Sequence, residues 1–130
     1  MVTKQQRIDE AVKVLSDLDM PRGQRNERSA LALLAILDLT HDKAWGKASA
    51  PLIGITPIMD WARDHYDKDY KPNTRESVRR QTIHQFMQAS IVVQNPDKPR
   101  PVNSPDTVYQ IEPTCLRYFS LLARTSTIFD

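Results

Sequence analysis

One side of a predicted helix between about residues 74 and 89 carries side chains that can bind nucleic acid. At about 100° per residue, the apolar residues of this segment fall together on the other side. The polar side consists of Ser77, Arg80, Gln81, His84, Gln85 and Gln88. It contains no acid, and its hydroxyl, guanidinium, amide and imidazole groups are types that reach base edges and phosphates. The pattern therefore predicts a DNA-reading face, the alternative being a solvated helix that happens to be rich in arginine and glutamine.

Strong signals place the beginning of this helix. Pro72 disfavours helix at the residue before it. Asn73 is a favourable N-cap, and Glu76 follows it at the spacing of a capping box. We therefore expect the helix to begin at about Thr74.

The charge of the chain is concentrated around this helix. The 130 residues carry a net charge of only +2. Between Lys68 and Arg100, seven basic residues face three acidic ones, a surplus of four. An electrostatic site for nucleic acid must therefore arise from local clustering and not from a globally basic chain.

Three earlier helices are predicted to support the polar helix, at about residues 4–19, 26–38 and 57–67. The second is apolar on nearly every side, which is typical of the buried centre of a domain. Glycines and prolines between residues 40 and 55 indicate a loop, with Trp45 folding back onto the core. Thr56 followed by Pro57 predicts the beginning of the third helix.

The segments around the polar helix complete a recognisable order. A short connection joins it to the third helix, which makes a helix-turn-helix. Strands are predicted at about 91–94 and 107–111, separated by a proline-rich loop, and a final helix at about 113–123. The predicted fold is mainly α with a small β-hairpin: a winged helix-turn-helix with additional N-terminal helices, in a single domain over residues 1–130.

This arrangement assigns contacts with double-stranded DNA. Base edges in the major groove are assigned to Asn73, Thr74, Ser77, Arg80, Gln81 and His84. Phosphates are assigned to Lys71, Arg75, Lys98 and Arg100, and further wing donors are Asn103 and Ser104. Arg75 and Arg79 are ambiguous, because both project towards the apolar side and could pair internally with Glu76 or with an acid of the third helix. The wing loop could instead be a stiff connector.

Other functional classes find little support in the sequence. A single cysteine, Cys115, excludes an internal disulfide, and three histidines without ligand spacing predict no metal site. The default setting is therefore reducing and cytoplasmic. No apolar run approaches the ~18 residues of a membrane span, so no membrane is expected.

Two sequence segments together resemble a known family. The first combines Asn73-Thr74-Arg75-Glu76 with Arg79-Arg80, and the second combines Asn95-Pro96-Asp97 with Asn103-Ser104-Pro105. Over roughly residues 20 to 120 the chain resembles the N-terminal helix-turn-helix domain of the BsuBI/PstI-type type II restriction endonucleases. The resemblance implies a piece of a longer chain, whose nuclease domain uses Mg²⁺ to cut both strands at a short palindrome. It also implies a possible homodimer of the full-length enzyme.

Catalysis is not expected in this chain, nor is a cofactor. A nuclease of the PD-(D/E)xK type needs a carboxylate pair and then a lysine around a metal ion. Pro96-Asp97 and Pro105-Asp106 provide the first half of that pattern, but no lysine follows Lys98. The triplet Asp69-Tyr70-Lys71 lies upstream, in the wrong order.

A second hypothesis comes from a different functional class. The winged helix could be an interaction or dimerisation module that positions a separate nuclease domain without reading sequence. The apolar helix from Ala30 to Leu37 and the C-terminal tail could provide such a surface. Salt-dependent binding to duplex DNA separates the two hypotheses, because a module that contacts only protein should show none.

Overall fold

The first two helices begin at side-chain caps. The computed structural model of the protein describes residues 2–102 and 104–125, and for the last four of these the backbone only. Helix α1, Lys4–Asp17, has a capping box: the Thr3 hydroxyl accepts from the Gln6 N–H at 3.0 Å, and the Gln6 side chain accepts from the Thr3 N–H at 2.8 Å. Helix α2, Glu27–Ile36, begins where the Asn26 side chain accepts from the Ser29 N–H at 2.9 Å.

Helix α2 is the centre of the hydrophobic core. Every side chain from Ser29 to Ile36 is at most 2% exposed. Neighbouring elements therefore cover this helix on all sides, as its composition predicts. The suggestion that residues 30–37 offer a surface to a partner protein is wrong, because no apolar face of α2 remains uncovered.

The loop after α2 ties the two ends of the domain together through Trp45. This side chain is fully buried and stacks on Phe119, with 5.6 Å between ring centroids. Phe119 belongs to the last helix, α5, Pro113–Thr125. The Trp45 indole N–H donates to Glu10 of α1 at 2.9 Å. One loop residue thus joins the first helix to the last, which satisfies its polar atom within the core.

Helix α3, Ile55–Tyr66, begins two residues earlier than expected. Its N-cap is Gly54, so Thr56 lies inside the helix and does not cap it. Pro57 is tolerated because it falls in the first turn, where an N–H has no intrahelical partner. Its C-cap is Asp67, which adopts a left-handed conformation with φ 59°.

Helix α4 covers residues 74–88 in three segments: an α-turn at Thr74–Ser77, a π-helical segment at Val78–Ile83, and an α-helical end at His84–Gln88. The expected capping box at its beginning is absent. Asn73 has helical backbone angles, and its side chain makes no capping bond. The Thr74 N–H donates instead to the Lys71 carbonyl at 2.9 Å, so the backbone turn takes over the role of the cap.

Three residues of the π-helical segment of α4 face the core. Its hydrogen bonds run between residues five apart, which widens the turn. Val78, Thr82 and Ile83 are all buried, at positions four and five residues apart. The structure thus adds Thr82, a polar residue, to the apolar side that the sequence predicts.

A hairpin follows α4 directly. Strand β1, Val92–Gln94, pairs antiparallel with β2, Tyr109–Ile111, in the register Val92–Ile111 and Gln94–Tyr109. Ile53, just before α3, adds a bridge on the other side of β2, with two backbone hydrogen bonds to Tyr109 at 2.8 and 3.0 Å. The fold is therefore mainly helical with a two-stranded antiparallel hairpin beside a helix-turn-helix, which confirms the predicted fold class.

Candidate nucleic-acid interface

Helix α4 presents its polar side to solvent. The exposed residues on that side are Arg80, Gln81, His84 and Gln88. Phe86 and Ile83 on the opposite side have no exposed surface. The second helix of the helix-turn-helix thus carries guanidinium, amide and imidazole groups that are exposed to solvent.

Glu76 organises the two arginines of this helix. It accepts two hydrogen bonds from Arg79, both of 3.0 Å, and an ion pair of 2.9 Å from Arg80 Nε. Hydrogen bonding from Arg79 is the main cause that lowers the pKa of the Glu76 carboxyl below its ordinary value. Arg79 is therefore paired internally, one of the two alternatives left open by the sequence. Arg80 is held at one nitrogen, and its side chain remains 75% exposed.

Gln81 is held from the opposite flank by α2. Arg28 Nη2 donates to the Gln81 side-chain oxygen at 3.0 Å, and Arg28 Nε donates to the Thr82 hydroxyl at 3.3 Å. Gln81 itself is exposed, whereas Thr82 is fully buried. One arginine of the core helix therefore contacts a residue on the exposed side and a residue on the buried side of α4.

The leading end of α4 lies beside the beginning of α3. Arg75 is exposed, and its Nε donates to the Thr56 hydroxyl at 3.0 Å. It thus pairs with a hydroxyl and not with an acid. Lys71 and Asn73 are exposed before the helix, while Thr74 and Ser77 are half-buried. The donors at this end therefore differ in how far they can reach a ligand.

The wing loop holds Arg100 in an internal network. Its guanidinium donates twice to Asp97, at 2.8 and 3.0 Å, and once to the Asn95 side chain at 3.0 Å. Only 12% of the Arg100 side chain is exposed. The donors that make these bonds are turned into the loop, and the phosphate contact of Arg100 stays a prediction. Asn95 also accepts from the Val108 N–H at 3.0 Å, so the network closes the base of the loop.

Other wing residues have distinct positions. Lys98 is exposed. The Ser104 hydroxyl accepts from the Asp106 N–H at 3.1 Å, which shapes the turn that leads into β2. Asn103, another predicted contact, lies outside the described residues.

Two grooves bring these residues together. The larger runs between the wing loop and the adjoining ends of α3 and α4, and it is lined by Thr56, Arg75, Arg79, Lys98, Arg100 and Ser104 among others. The smaller lies between α4 and the hairpin, and it is lined by Arg79, Arg80, His84, Met87, Gln94 and Tyr109. Lys71, Asn73 and Gln81 line neither groove.

The sequence predictions missed three residues at this surface: Arg28, Thr56 and Gln94. A signal was available for Arg28, which lies in the first turn of an otherwise apolar helix. The helix dipole disfavours a cation at that end, so its presence there indicates a partner from elsewhere. No comparable local signal marks Thr56 or Gln94. Among residues 2–102 and 104–125, no three His, Cys, Asp or Glu side chains come close enough to hold a metal ion.

Fold and surface together define a winged helix-turn-helix domain whose second helix exposes a polar side. The chain belongs to the BsuBI/PstI restriction endonuclease HTH domain family, whose model matches residues 5–127. This membership supports a DNA-binding N-terminal domain. In the part of the chain that the structure describes, no helix is both long and apolar enough to cross a membrane.

Similar proteins are restriction enzymes. The type II restriction enzyme BsuBI of Bacillus subtilis is 58% identical over 106 residues, which cover 81% of this chain and 34% of that protein. The type II restriction enzyme AplI of Arthrospira platensis is 39% identical over 102 residues, covering 78% of this chain and 32% of that protein. The chain thus spans about a third of the length of these curated relatives.

A solved structure extends the similarity to three dimensions. The SdaI restriction endonuclease superposes with a TM-score of 0.84 at 29% sequence identity. The match covers 87% of this chain and 36% of that one. The winged helix-turn-helix arrangement is therefore shared with part of a larger restriction enzyme.

Proposed function

We propose that this chain is the non-catalytic, double-stranded-DNA-binding domain of a type II site-specific restriction endonuclease. One observation carries the proposal: the second helix of the helix-turn-helix exposes Arg80, Gln81 and His84, and the Arg80 side chain stays 75% exposed although it pairs with Glu76. The kinship with type II restriction enzymes supports the same conclusion. In a helix-turn-helix, side chains of this kind on the second helix enter the major groove and contact base edges.

The exposure and position of each residue separate the proposed base contacts from the proposed phosphate contacts. Arg80, Gln81 and His84 would meet base edges, because they are exposed along the middle of α4. Asn73, Thr74 and Ser77 would lie at the leading end, where their shorter side chains reach only the nearest groove wall. Lys71, Arg75 and Lys98 are exposed cations and would hold phosphates.

The wing would act through its shape more than through Arg100. Because Arg100 is bound to Asp97 and Asn95, we assign it to holding the loop in one conformation before DNA arrives. A loop ordered in advance loses less conformational entropy on binding, which favours the complex. Lys98 and Ser104 would then be presented to the DNA backbone by this loop, and Asn103 stays a predicted contact.

Cleavage would belong to a nuclease domain outside this chain. Type II restriction enzymes cut at specific sites, and we assign the Mg²⁺-dependent step to the remaining two thirds of such a protein. A homodimer of the full-length enzyme would place two copies of α4 on the two halves of a palindromic site.

Salt dependence of DNA binding by the 130-residue chain tests the proposal. With about three phosphate contacts, log K should fall by about 2.7 per log unit of salt concentration. Replacing Lys71 and Lys98 together with Ala should make this slope shallower by about 1.8. Lys13→Ala is the matched control, because this lysine lies on α1 in a surface ion pair with Asp17.

A slope near zero would contradict DNA binding and favour the interaction-module hypothesis. A steep slope that stays unchanged when Lys71 and Lys98 are both replaced with Ala would place the electrostatic site elsewhere on the chain. Fluorescence anisotropy with a labelled duplex, measured at four or more salt concentrations, provides the slope for each variant.

A further inference from the structure

Arg28 and Gln81 make a contact between the core helix α2 and the exposed side of α4. They are 53 residues apart in the sequence, and the distance from Arg28 Nη2 to the Gln81 side-chain oxygen is 3.0 Å. Gln81 lies in the π-helical segment Val78–Ile83, next to Thr82, which receives the second hydrogen bond from Arg28. The guanidinium is thus anchored at a buried hydroxyl and extends to an exposed amide.

The chemistry of the two groups fixes the direction of the Gln81 amide. A guanidinium has only donors, so the atom of Gln81 that meets it must be the oxygen. The NH₂ group of the same amide then points away from Arg28. Without this contact, an exposed glutamine could exchange its oxygen and nitrogen by rotating about its last bond, and it would offer either group to a ligand.

We propose that Arg28 is a positioning residue for base recognition, which holds Gln81 with its NH₂ group directed at the DNA. This inference rests on the proposed function, namely that α4 enters the major groove. Arg28 itself touches no base in this arrangement. It determines specificity by removing one of the two ways in which Gln81 can bind.

A defined base preference follows. In the major groove, guanine and thymine offer acceptors through O6, N7 and O4, whereas cytosine offers only the N4 donor. A glutamine restricted to donation therefore favours guanine or thymine at its position and disfavours cytosine. The two-bond pairing of glutamine with adenine is also weakened, because Arg28 takes one lone pair of the amide oxygen that this pairing needs and fixes the direction of that oxygen.

Selection from a pool of duplexes with a randomised central segment tests the proposal on the 130-residue chain. The wild-type chain should enrich guanine or thymine over cytosine at one position, by about fivefold for a single hydrogen bond. Gln81→Ala should remove the preference at that position only. Arg28→Met keeps an aliphatic stem without the guanidinium and should reduce the preference at the same position. The double variant should show no further loss, because both changes act through one contact.

Two further variants separate positioning from other roles of Arg28. Thr82→Val removes the hydroxyl that anchors the guanidinium and keeps the side-chain volume, so it should reduce the base preference at the same position, but less than Arg28→Met does, because the bond from Arg28 to Gln81 remains. Arg28→Lys keeps a positive charge. It should preserve overall affinity and salt slope, while the base preference falls because an ammonium lacks the fork that reaches both partners.

A readout without DNA keeps the inference testable by itself. In the free chain, the side-chain NH₂ signal of Gln81 should become more mobile by NMR relaxation in Arg28→Met or Arg28→Lys. Gln88, exposed on the same helix, is the internal reference and should not change. If Gln81 is already as mobile as Gln88 in the wild type, the positioning role is refuted, whatever happens with DNA.

The outcomes distinguish this inference from the proposed function. Absence of any enrichment by the wild-type chain, together with a flat salt dependence, overturns the proposed function. A different result overturns only the positioning role. If Arg28→Met lowers the affinity for all sequences equally, leaves the base preference unchanged and makes the salt slope shallower by about 0.9, Arg28 is a phosphate contact.

Discussion

The exposed side of α4 and the wing loop both carry arginine, but the two regions use it differently. Arg80 on α4 meets Glu76 through one nitrogen, and its side chain is 75% exposed. Arg100 in the wing makes three hydrogen bonds to Asp97 and Asn95, and its side chain is 12% exposed. The first arginine is available to a ligand, whereas the second supports the backbone around it.

The difference arises from the backbone on which each arginine lies. On a helix, neighbours three and four residues away are side by side on an open surface, so an ion pair leaves most of a guanidinium exposed. A loop can curve around the side chain, and both the Asp97 carboxylate and the Asn95 amide then reach it. An arginine near DNA therefore indicates a base or phosphate contact only if its donors are not already taken.

Arg80→Ala should have the largest effect. If Arg80 reads a guanine with two donors, the change should cost about 1–3 kcal/mol on the preferred sequence and flatten the preference among sequences. Affinity on a small panel of duplexes measures both quantities. Lys13→Ala, which also removes the cation of an i,i+4 surface pair, should change neither. If Arg80→Ala lowers the affinity for every duplex equally, Arg80 contacts phosphate, which is the role proposed for Lys98 of the wing.

Changes at the Arg100–Asp97 pair should have the next largest effect on DNA affinity. Whether the affinity falls or rises shows whether the pair shapes the wing or keeps Arg100 from phosphate. If the pair holds the wing in shape, Arg100→Ala and Asp97→Ala should each weaken DNA binding about fivefold, and the double variant should be no worse than either. The salt slope should stay the same in Asp97→Ala. A gain of affinity in Asp97→Ala would mean that the released Arg100 binds phosphate.

A matched pair on α3 provides the control for this experiment. Arg63 and Asp60 have the same i,i+3 spacing and the same order of acid and base, but each side chain is 49% exposed. Arg63→Ala should leave DNA affinity unchanged, because this pair braces no loop. Any loss comparable to that of Arg100→Ala would mean that general charge, and not the shape of the wing, controls the affinity.

Removal of the Glu76 carboxylate should raise the affinity for DNA, and the change should be smaller than those above. Glu76→Gln keeps the shape of the side chain but removes an anion next to the polar side of α4, so affinity for all duplexes should rise about threefold. Asp17→Asn on α1 is the control for loss of a surface carboxylate. A decrease in affinity would show that Glu76 orients Arg80, in the way that Asp97 orients Arg100.

The pH dependence of the wing should be the smallest effect. Hydrogen bonds from Arg100 lower the pKa of Asp97 from its ordinary value of 3.8 to about 2. Because the pKa is lowered in the folded state, the contribution to stability is complete above the ordinary value and is lost as the pH falls towards about 2. An NMR titration of the Asp97 carboxyl should show it still ionised near pH 3. In Arg100→Ala its pKa should return towards 3.8.

Secondary structure in this protein follows mainly from local sequence, whereas the side-chain contacts depend on how the whole chain packs. The order of helices and strands, the buried α2 and the exposed side of α4 could all be predicted, because periodicity and proline positions are local properties. The cap of α4 could not, although Asn73 and Glu76 have the right spacing. The backbone turn at Lys71 satisfies the first N–H groups, and Arg79 and Arg80 engage the glutamate instead.

The sequence by itself determined a winged helix-turn-helix with a polar second helix, because each element is specified by residues within one or two turns. Only the tertiary structure decided which donors of the site are available. Arg28 reaches Gln81 across 53 residues, and Arg75 reaches Thr56 across 19. Arg100 turns inwards because the wing loop folds over it. Such partners are chosen by packing and loop closure, which bring distant side chains within hydrogen-bonding distance, and no local pattern encodes that proximity.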